Sequence, residues 1–310
     1  MIDVLIIGAG PAGLSAAIYT ERSGKHAVCL EALTVGGQIV NTPEIANYPG
    51  IKNISGFEFS MGLYEQATEL GAEVIYDKAL SIASIEDETG TYKKVTTVSG
   101  KEYLCRAVII ATGARNRHLG LAKEEEFTGK GVSYCATCDG AFFRKKDVAV
   151  NGGGNTALED ALFLSNYCNK VYIIHRRDQF RGEPQNLEAV KNKENIEFVL
   201  NSNVIELTGE SSLEAVIVKD KITEETRKIP VSGLFIAIGQ EPDNKDFEDV
   251  AELDQAGYIA SDESCKTKTP GVFVAGDCRT KNVRQLTTAA SDGAIAALAA
   301  CEFCNLGTRE

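Results

Sequence analysis

Two cysteines separated by two residues are the side chains of this sequence best suited to chemistry. Cys135 and Cys138 are followed directly by Asp139. This spacing puts both sulfurs within disulfide distance, and the start of a turn or helix favours the thiolate form. A neighbouring carboxyl group can give or take the proton that accompanies thiol chemistry. The segment therefore predicts a redox-active dithiol with Asp139 as its acid or base.

The alternative for this segment is a structural zinc site, which needs four ligands. The only other Cys-x-x-Cys pair, Cys301 and Cys304, lies far along the chain, and the three histidines show no ligand spacing. We therefore predict no metal. Cys301 and Cys304 are expected on one face of the last helix as ordinary core or surface thiols, with a second redox pair as the alternative.

A glycine-rich loop follows the first predicted strand. Residues 3–7 are mostly apolar and run into Gly8-Ala9-Gly10-Pro11-Ala12-Gly13, and the second strand ends on Glu31. In such a loop the first glycine permits the tight turn, the second lets a pyrophosphate approach the backbone, and the third lets helix and strand pack closely. A carboxylate at the end of the second strand accepts hydrogen bonds from a ribose. This first fingerprint predicts a dinucleotide site.

A second part of that site is expected near the other end of the chain. A short apolar strand closes on Gly276-Asp277, and a long helix of small residues opens around Arg284, Gln285 and Leu286. The Asp277 carboxylate suits the ribityl hydroxyls of a flavin. The helix start puts positive dipole where negative charge develops on flavin reduction. Both segments together predict a flavin site.

A second fingerprint stands in the middle of the chain. The strand Val148–Val150 leads to Gly152-Gly153-Gly154-Asn155-Thr156-Ala157. The following strand ends in a basic cluster where the first fingerprint has an acid; its members are His175, Arg176, Arg177 and Arg181. Guanidinium groups bind a 2′-phosphate that a carboxylate would repel. The unit predicts an NADPH site with preference over NADH, the alternative being a solvated arginine patch.

The order of these segments predicts one domain inserted into another. Both halves of the flavin site must meet, and the second fingerprint lies between them in the chain. We expect a discontinuous flavin-binding domain, residues 1–113 and 242–310, and an inserted nicotinamide-binding domain, residues 114–241, that carries the dithiol. The predicted class is α/β with two Rossmann-like three-layer domains. Alternating runs at 95–98, 215–218 and 227–230 predict antiparallel layers beside them.

Composition limits the partners. The net charge of −12 argues against nucleic acid and anionic membranes, and no apolar run is long enough to cross a bilayer. Nine scattered cysteines without a secretory signal fit a reducing compartment, which predicts a cytoplasmic protein.

Taken together, these motifs resemble the low-molecular-weight bacterial thioredoxin reductases. The resemblance covers essentially all 310 residues and adds the matching segments Gly36-Gly37-Gln38, Asn47-Tyr48-Pro49-Gly50 and Ala111-Thr112-Gly113. It implies FAD in the discontinuous domain, held also by Gly36, Gly37, Gln38 and Asn47. It further implies NADPH in the inserted domain, a homodimer, and thioredoxin as substrate.

The resemblance also implies roles for the dithiol. Cys138 would interact with the flavin, Cys135 would attack the thioredoxin disulfide, and Asp139 would be the acid. Because nicotinamide and dithiol both belong to the inserted domain and must reach one flavin, we expect that domain to swing between two arrangements.

Some positions depart from the family pattern and leave alternatives open. Asn151 replaces an apolar residue before the second glycine loop, and Pro184 follows the basic cluster. Both bear on NADPH affinity, so a donor such as ferredoxin is an alternative. A different small redox protein is an alternative partner. A non-catalytic nucleotide sensor is disfavoured by the dithiol. Cys278 is expected to be a buried, inert thiol.

Overall fold

A computed structural model of the chain describes residues 1–42, 44–87 and 90–306. The chain divides into two compact units: Met1–Arg115 with Glu241–Glu310, here called the discontinuous unit, and Asn116–Gln240, here called the inserted unit. The two positions at which the chain passes from one unit to the other lie within two residues of the boundaries expected from the sequence.

The strands and helices follow one another as an α/β chain. The first part contains β1 (Ile2–Ile7), α1 (Pro11–Arg22), β2 (Ala27–Glu31), α2 (Gly56–Glu69), β3 (Glu73–Tyr76), β4 (Ala79–Asp87), β5 (Gly90–Thr97), β6 (Glu102–Ile110) and β7 (Ala114–Asn116). The middle part contains α3 (Glu124–Phe127), β8 (Val132–Ser133), α4 (Ala136–Asp139), β9 (Asp147–Gly152), α5 (Asn155–Ser165), β10 (Lys170–Ile174), α6 (Pro184–Lys191), β11 (Ile196–Val199), β12 (Ser202–Thr208), β13 (Ala215–Asp220), β14 (Thr226–Pro230), β15 (Gly233–Ala237) and β16 (Gln240–Pro242). The last part contains β17 (Val272–Val274) and α7 (Leu286–Leu306), with short 3₁₀ turns at Gly37–Asn41, Lys245–Phe247 and Gly276–Cys278.

The discontinuous unit is built on one sheet. Its described strands run in the order β3-β2-β1-β6-β5-β4, and β17 pairs with β6. Strands β1, β2, β3, β6 and β17 are parallel, whereas β4, β5 and β6 pair antiparallel. β1 is a nearly continuous apolar run because helices cover a parallel sheet on its faces. Helices α1 and α7 approach closely: a Cβ on Gly293 would lie 2.1 Å from the carbonyl oxygen of Ala12.

The inserted unit repeats the plan. Its parallel sheet has the order β11-β10-β9-β15-β8, and β12, β13 and β14 form an antiparallel layer. Asn151 lies in the buried strand β9, and Pro184 occupies the first turn of α6, a position where proline is well tolerated. Strands β7 and β16, each of which spans one of the two boundaries between the units, pair with each other.

The predicted fold class and antiparallel layers are confirmed. No helix in the described ranges is long and apolar enough to span a membrane.

Candidate active site

The dithiol is oxidised and stands at the start of a short helix. Cys135 and Cys138 form a disulfide with Cα atoms 5.3 Å apart. Cys135 is the N-cap of α4, and the backbone N–H of Cys138 donates to Cys135 Sγ at 3.2 Å. That hydrogen bond stabilises negative charge on the Cys135 sulfur once the disulfide is reduced. The geometry therefore favours Cys135 as the nucleophilic thiolate.

Ser133 connects Asp139 to the dithiol. The Ser133 hydroxyl donates to Asp139 Oδ2 at 2.6 Å and accepts from the N–H of Cys135 at 3.1 Å. Burial raises the pKa of Asp139, and the Ser133 hydrogen bond opposes that rise in part. A carboxyl group with a raised pKa keeps a larger protonated fraction near neutral pH, which suits a proton donor.

The seven remaining thiols are buried and free. Burial raises the pKa of Cys29 and Cys105 to about 12 and that of Cys304 to about 11. Cys278 is buried and its pKa is also raised, as expected for an inert thiol. Within the described residues no cluster of His, Cys, Asp and Glu could hold a metal ion. Thiolate chemistry is therefore concentrated at Cys135 and Cys138.

The first glycine loop leaves no room for a side chain at Gly8 or Gly13. Gly8 has φ +107°, and a Cβ there would lie 2.4 Å from the carbonyl oxygen of Ala111. A Cβ on Gly13 would lie 1.8 Å from the carbonyl oxygen of Gly8. Gly10 is the N-cap of α1 without a side-chain cap, so the first N–H groups of the helix stay available. The loop forms a cradle for an anionic group.

Neighbouring segments complete this cradle. The Glu31 carboxylate accepts from the N–H of Ala9 at 2.8 Å, which places the acid beside the loop. The N–H of Gly36 donates to Ala9 O at 2.8 Å, and a Cβ on Gly37 would lie 3.3 Å from Gly10 Cα. Gln38 Nε2 donates to the carbonyl oxygen of Ala114.

The C-terminal half of the predicted flavin site adjoins the first loop. A Cβ on Gly276 would lie 2.8 Å from Ala12 Cβ. Asn47 Nδ2 donates to Gln285 Oε1 at 3.3 Å, so two residues 238 positions apart are in contact. Asp277 Oδ1 is buried and has no hydrogen-bond partner within the described residues.

Arg284 contacts protein groups around Asp277. Its guanidinium lies 4.0 Å from the centre of the Tyr258 ring, and its Nε donates to the carbonyl oxygen of Asp277 at 3.3 Å. Leu286 is the first residue of α7. Gly276, from the C-terminal half of the predicted site, thus lies against the first loop.

The second glycine loop is also closely packed at its first glycine. A Cβ on Gly152 would lie 2.3 Å from the carbonyl oxygen of Ala237 and 2.7 Å from Ala157 Cβ. Gly154 is the N-cap of α5, again without a side-chain cap. Asn155 and Thr156 form the first turn of that helix. The Asn155 side chain accepts from the N–H of Glu183 at 2.6 Å.

The basic cluster is tied to this loop. Arg181 N donates to the carbonyl oxygen of Gly153 at 2.8 Å, and the side chains of Arg176, Arg177 and Arg181 are exposed. None of these arginines forms an ion pair with a carboxylate of the described chain. Their charge is therefore available to an anionic ligand.

His175 packs against the second glycine loop. It is 8% exposed, stacks on Phe180 with ring centres 5.0 Å apart, and its Nε2 contacts the carbonyl oxygen of Gln179 at 3.1 Å. A Cβ on Gly153 would lie 2.1 Å from the His175 ring. Burial lowers the pKa of His175, and the neighbouring arginines lower it further. We therefore assign it a supporting contact rather than a charged one.

Sequence reasoning missed two features of these sites. Ser133 carries no spacing signal, because its role depends on how the turn before α4 folds. A buried ion cluster of Arg279, Lys281 and Asp292 also went unnoticed. Its only sign in the sequence was Asp292 among the small residues of the last helix.

The comparisons with known proteins agree with this geometry. The family described as pyridine nucleotide-disulphide oxidoreductase matches residues 2–293. The chain therefore belongs to this family, whose members are oxidoreductases that work with a pyridine nucleotide and, as the fold and family imply, a flavin.

Within that family the chain is similar to thioredoxin reductases. It is 42% identical over 295 residues to one from Listeria innocua, covering 95% of this chain and 91% of the relative. It is 43% identical over 311 residues to one from Helicobacter pylori, covering 98% and 99%. A solved thioredoxin reductase from Streptococcus pyogenes superposes with a TM-score of 0.92 at 39% identity, covering 99% of each chain. The resemblance seen in the motifs is confirmed.

Proposed function

We propose that this chain transfers electrons from NADPH through FAD and the Cys135–Cys138 disulfide to the disulfide of thioredoxin. The observation that carries the proposal is the disulfide itself, which shares the inserted unit with a glycine loop and a basic cluster. A protein that only bound nucleotides would have no use for a redox pair beside an acid.

The discontinuous unit fits FAD. The Gly8–Gly13 loop and the free N–H groups of α1 suit the pyrophosphate, and Glu31 suits the ribose. The orphaned Oδ1 of Asp277 is the strongest sign, because a buried carboxylate oxygen without a donor is costly unless a ligand hydroxyl supplies one. When bound there, the flavin supplies the conversion of a two-electron hydride donor into disulfide reduction.

The inserted unit fits NADPH. The loop at Gly152–Gly154 suits the pyrophosphate, and Arg176, Arg177 and Arg181 suit the 2′-phosphate by bidentate hydrogen bonds. The exposed and unpaired state of these arginines favours NADPH over NADH and over a protein electron donor such as ferredoxin.

The dithiol then carries out thiol–disulfide exchange. Reduction of the Cys135–Cys138 disulfide takes two electrons and two protons, and Asp139 is the proposed source of one proton. The Cys135 thiolate attacks a sulfur of the thioredoxin disulfide, forming a mixed disulfide and releasing one thiolate. The Cys138 thiolate attacks Cys135 Sγ, which releases the second thioredoxin thiol and restores the internal disulfide.

Other expectations stay proposals. They are a homodimer, a cytoplasmic location, and alternation of the inserted unit between two arrangements. A cross-link that joins the two units should abolish turnover if the alternation is required.

A steady-state assay tests the proposal. Purified protein, NADPH and oxidised thioredoxin should give rapid NADPH oxidation with one thioredoxin dithiol formed per NADPH. NADH and reduced ferredoxin should be poor donors, and a glutaredoxin-type protein should be a poor acceptor. Faster turnover with any of these replacements would assign the chain to the corresponding alternative reductase.

A further inference from the structure

The residues Arg279, Lys281 and Asp292 form a buried ion cluster that the electron relay does not explain. Their side chains are 2%, 6% and 4% exposed. Asp292 Oδ2 accepts from Arg279 Nε and from Lys281 Nζ, each at 2.8 Å, and Asp292 Oδ1 accepts from Arg279 Nη2 at 2.9 Å. Taking three charged groups out of water is expensive and stabilises a fold poorly compared with apolar packing. The cluster therefore calls for another role.

The cluster is connected directly to the turn that carries Asp277. Asp292 Oδ2 also accepts from the backbone N–H of Gly276 at 3.0 Å, which holds the residue immediately before Asp277. Gly276 has φ +81°, and a Cβ there would lie 2.8 Å from Ala12 Cβ. The position of the turn is thus defined on one side by α1 and on the other by Asp292.

The cluster also has an uncompensated charge. Arg279 and Lys281 face one buried carboxylate, while the other carboxylate near Arg279, that of Glu263, is 88% exposed and 3.4 Å away. Among the residues that the structure describes, one positive charge of this cluster therefore has no counter-charge within the cluster. Asp277, whose Oδ1 is buried and unpartnered, is the nearby acid that this charge can keep ionised.

We infer that the Arg279–Lys281–Asp292 cluster is a positioning device that aims the Asp277 carboxylate for flavin binding, and that its member Lys281 favours the ionised form of that carboxylate. The inference rests on the proposed flavin site at Asp277. An ionised carboxylate is the better acceptor for a ligand hydroxyl. Flavin affinity should then fall as the pH drops through the pKa of Asp277.

The charged groups around Asp277 act in opposite directions. Burial raises the pKa of Asp277, Lys281 and Arg284 lower it, and Asp292 raises it. Loss of Lys281 should therefore move the fall in flavin affinity to higher pH. Loss of the Asp292 charge should move it to lower pH. A cluster that served only packing would weaken binding equally at every pH.

The test uses the flavin-loaded protein. Each variant is equilibrated between pH 5 and 8.5 at low concentration, and free FAD is measured by absorbance after ultrafiltration. Near the wild-type midpoint, Lys281→Met should bind FAD about fivefold more weakly, because a rise of the pKa by one unit lowers the ionised fraction there by about that factor. Lys281→Arg should restore the wild-type profile, Asp292→Asn should displace it to lower pH, and Asp277→Asn should abolish the pH dependence.

Glu102→Gln, which removes one partner of the exposed Lys94–Glu102 pair in the same unit, is the matched control and should leave the profile unchanged. Coinciding profiles for Lys281→Met and the wild type, or equal weakening at all pH values, would overturn the inference. If Asp292→Asn fails to fold, the comparison of Lys281→Met with Lys281→Arg decides alone. A wild-type protein that retains no FAD at any pH would instead refute the proposed flavin site.

Discussion

The two glycine loops have the same backbone plan and differ where the ligand must be distinguished. Each follows a buried parallel strand and opens a helix whose N-cap is a glycine without a side-chain cap. The first loop has the buried acid Glu31 at the end of the next strand, whereas the second has exposed arginines there. Under the proposed function, the common loop supplies pyrophosphate binding and the following strand end supplies selectivity.

The loops also differ in how closely their helices pack. The third fingerprint position is Gly13 in the first loop and Ala157 in the second. The space at Gly13 is closed by the carbonyl oxygen of Gly8, while the second helix accommodates a real Cβ. The first helix is thus held closer to its strand, which teaches that GxGxxG and GxGxxA are not interchangeable here.

The largest expected effect comes from exchanging these residues. Gly13→Ala places a Cβ 1.8 Å from a backbone oxygen, so α1 must shift. We expect a loss of about 3 kcal/mol in the free energy of unfolding, together with loss of bound flavin. The matched variant Ala157→Gly should cost about 1 kcal/mol or less. Urea unfolding and the flavin-to-protein ratio measure both, and equal losses would contradict the difference in packing.

The proposed selectivity of the second site for NADPH is tested by removing the basic cluster. The triple replacement of Arg176, Arg177 and Arg181 by alanine should raise KM for NADPH about 100-fold, because charge-assisted hydrogen bonds to the 2′-phosphate are lost. KM for NADH should change little. Arg227→Ala, at an exposed arginine of the same unit that pairs with Glu197, is the control. Parallel changes for both nucleotides would show that the cluster does not select NADPH.

A smaller effect is expected at Ser133. Ser133→Ala removes the hydrogen bond that lowers the pKa of Asp139, so that pKa should rise further. The proton-donating form then persists to higher pH, and the alkaline limb of the kcat profile should move upward. At neutral pH, on this alkaline limb, we expect kcat to rise by about fivefold, the effect of one lost hydrogen bond. Ser99→Ala, which removes an exposed hydroxyl–carboxylate contact with Asp77, should change neither. An unmoved limb would exclude Asp139 as the titrating acid.

The smallest effect concerns the second Cys-x-x-Cys pair. Cys301 and Cys304 are buried on α7, and their pKa values are raised by burial. Replacing both with alanine should leave thioredoxin reduction within about twofold of the wild type. In a native thiol titration after NADPH addition, two thiols should react rapidly. Four rapidly reacting thiols would support a second redox pair.

Local patterns predicted much of this architecture. The glycine loops, the strand ends and the dithiol depend on residues within about 30 positions of one another, and turn chemistry and periodicity report such features. Order along the chain was enough to indicate the insertion. Asn47 is included in the predicted flavin site only through the family resemblance.

Features that depend on non-local packing escaped prediction. Asp292 meets Gly276 only because α7 returns to the turn after β17, and no periodic pattern records that contact. The close packing of the His175 ring against Gly153 also escaped prediction, and the role of His175 as an NADPH ligand stays a prediction. The hydrogen bond from the Ala9 N–H to the Glu31 carboxylate, between residues 22 positions apart, likewise follows from the folded loop.

The electron route is tested most directly by Cys138→Ser with NADPH and oxidised thioredoxin under anaerobic conditions. Replacement of the buried Cys168 of the same unit by serine is the control. We expect NADPH still to bleach the flavin absorbance of Cys138→Ser, while no thioredoxin disulfide is reduced. The control should show both flavin bleaching and thioredoxin reduction. Normal thioredoxin reduction by Cys138→Ser would refute the proposed electron route.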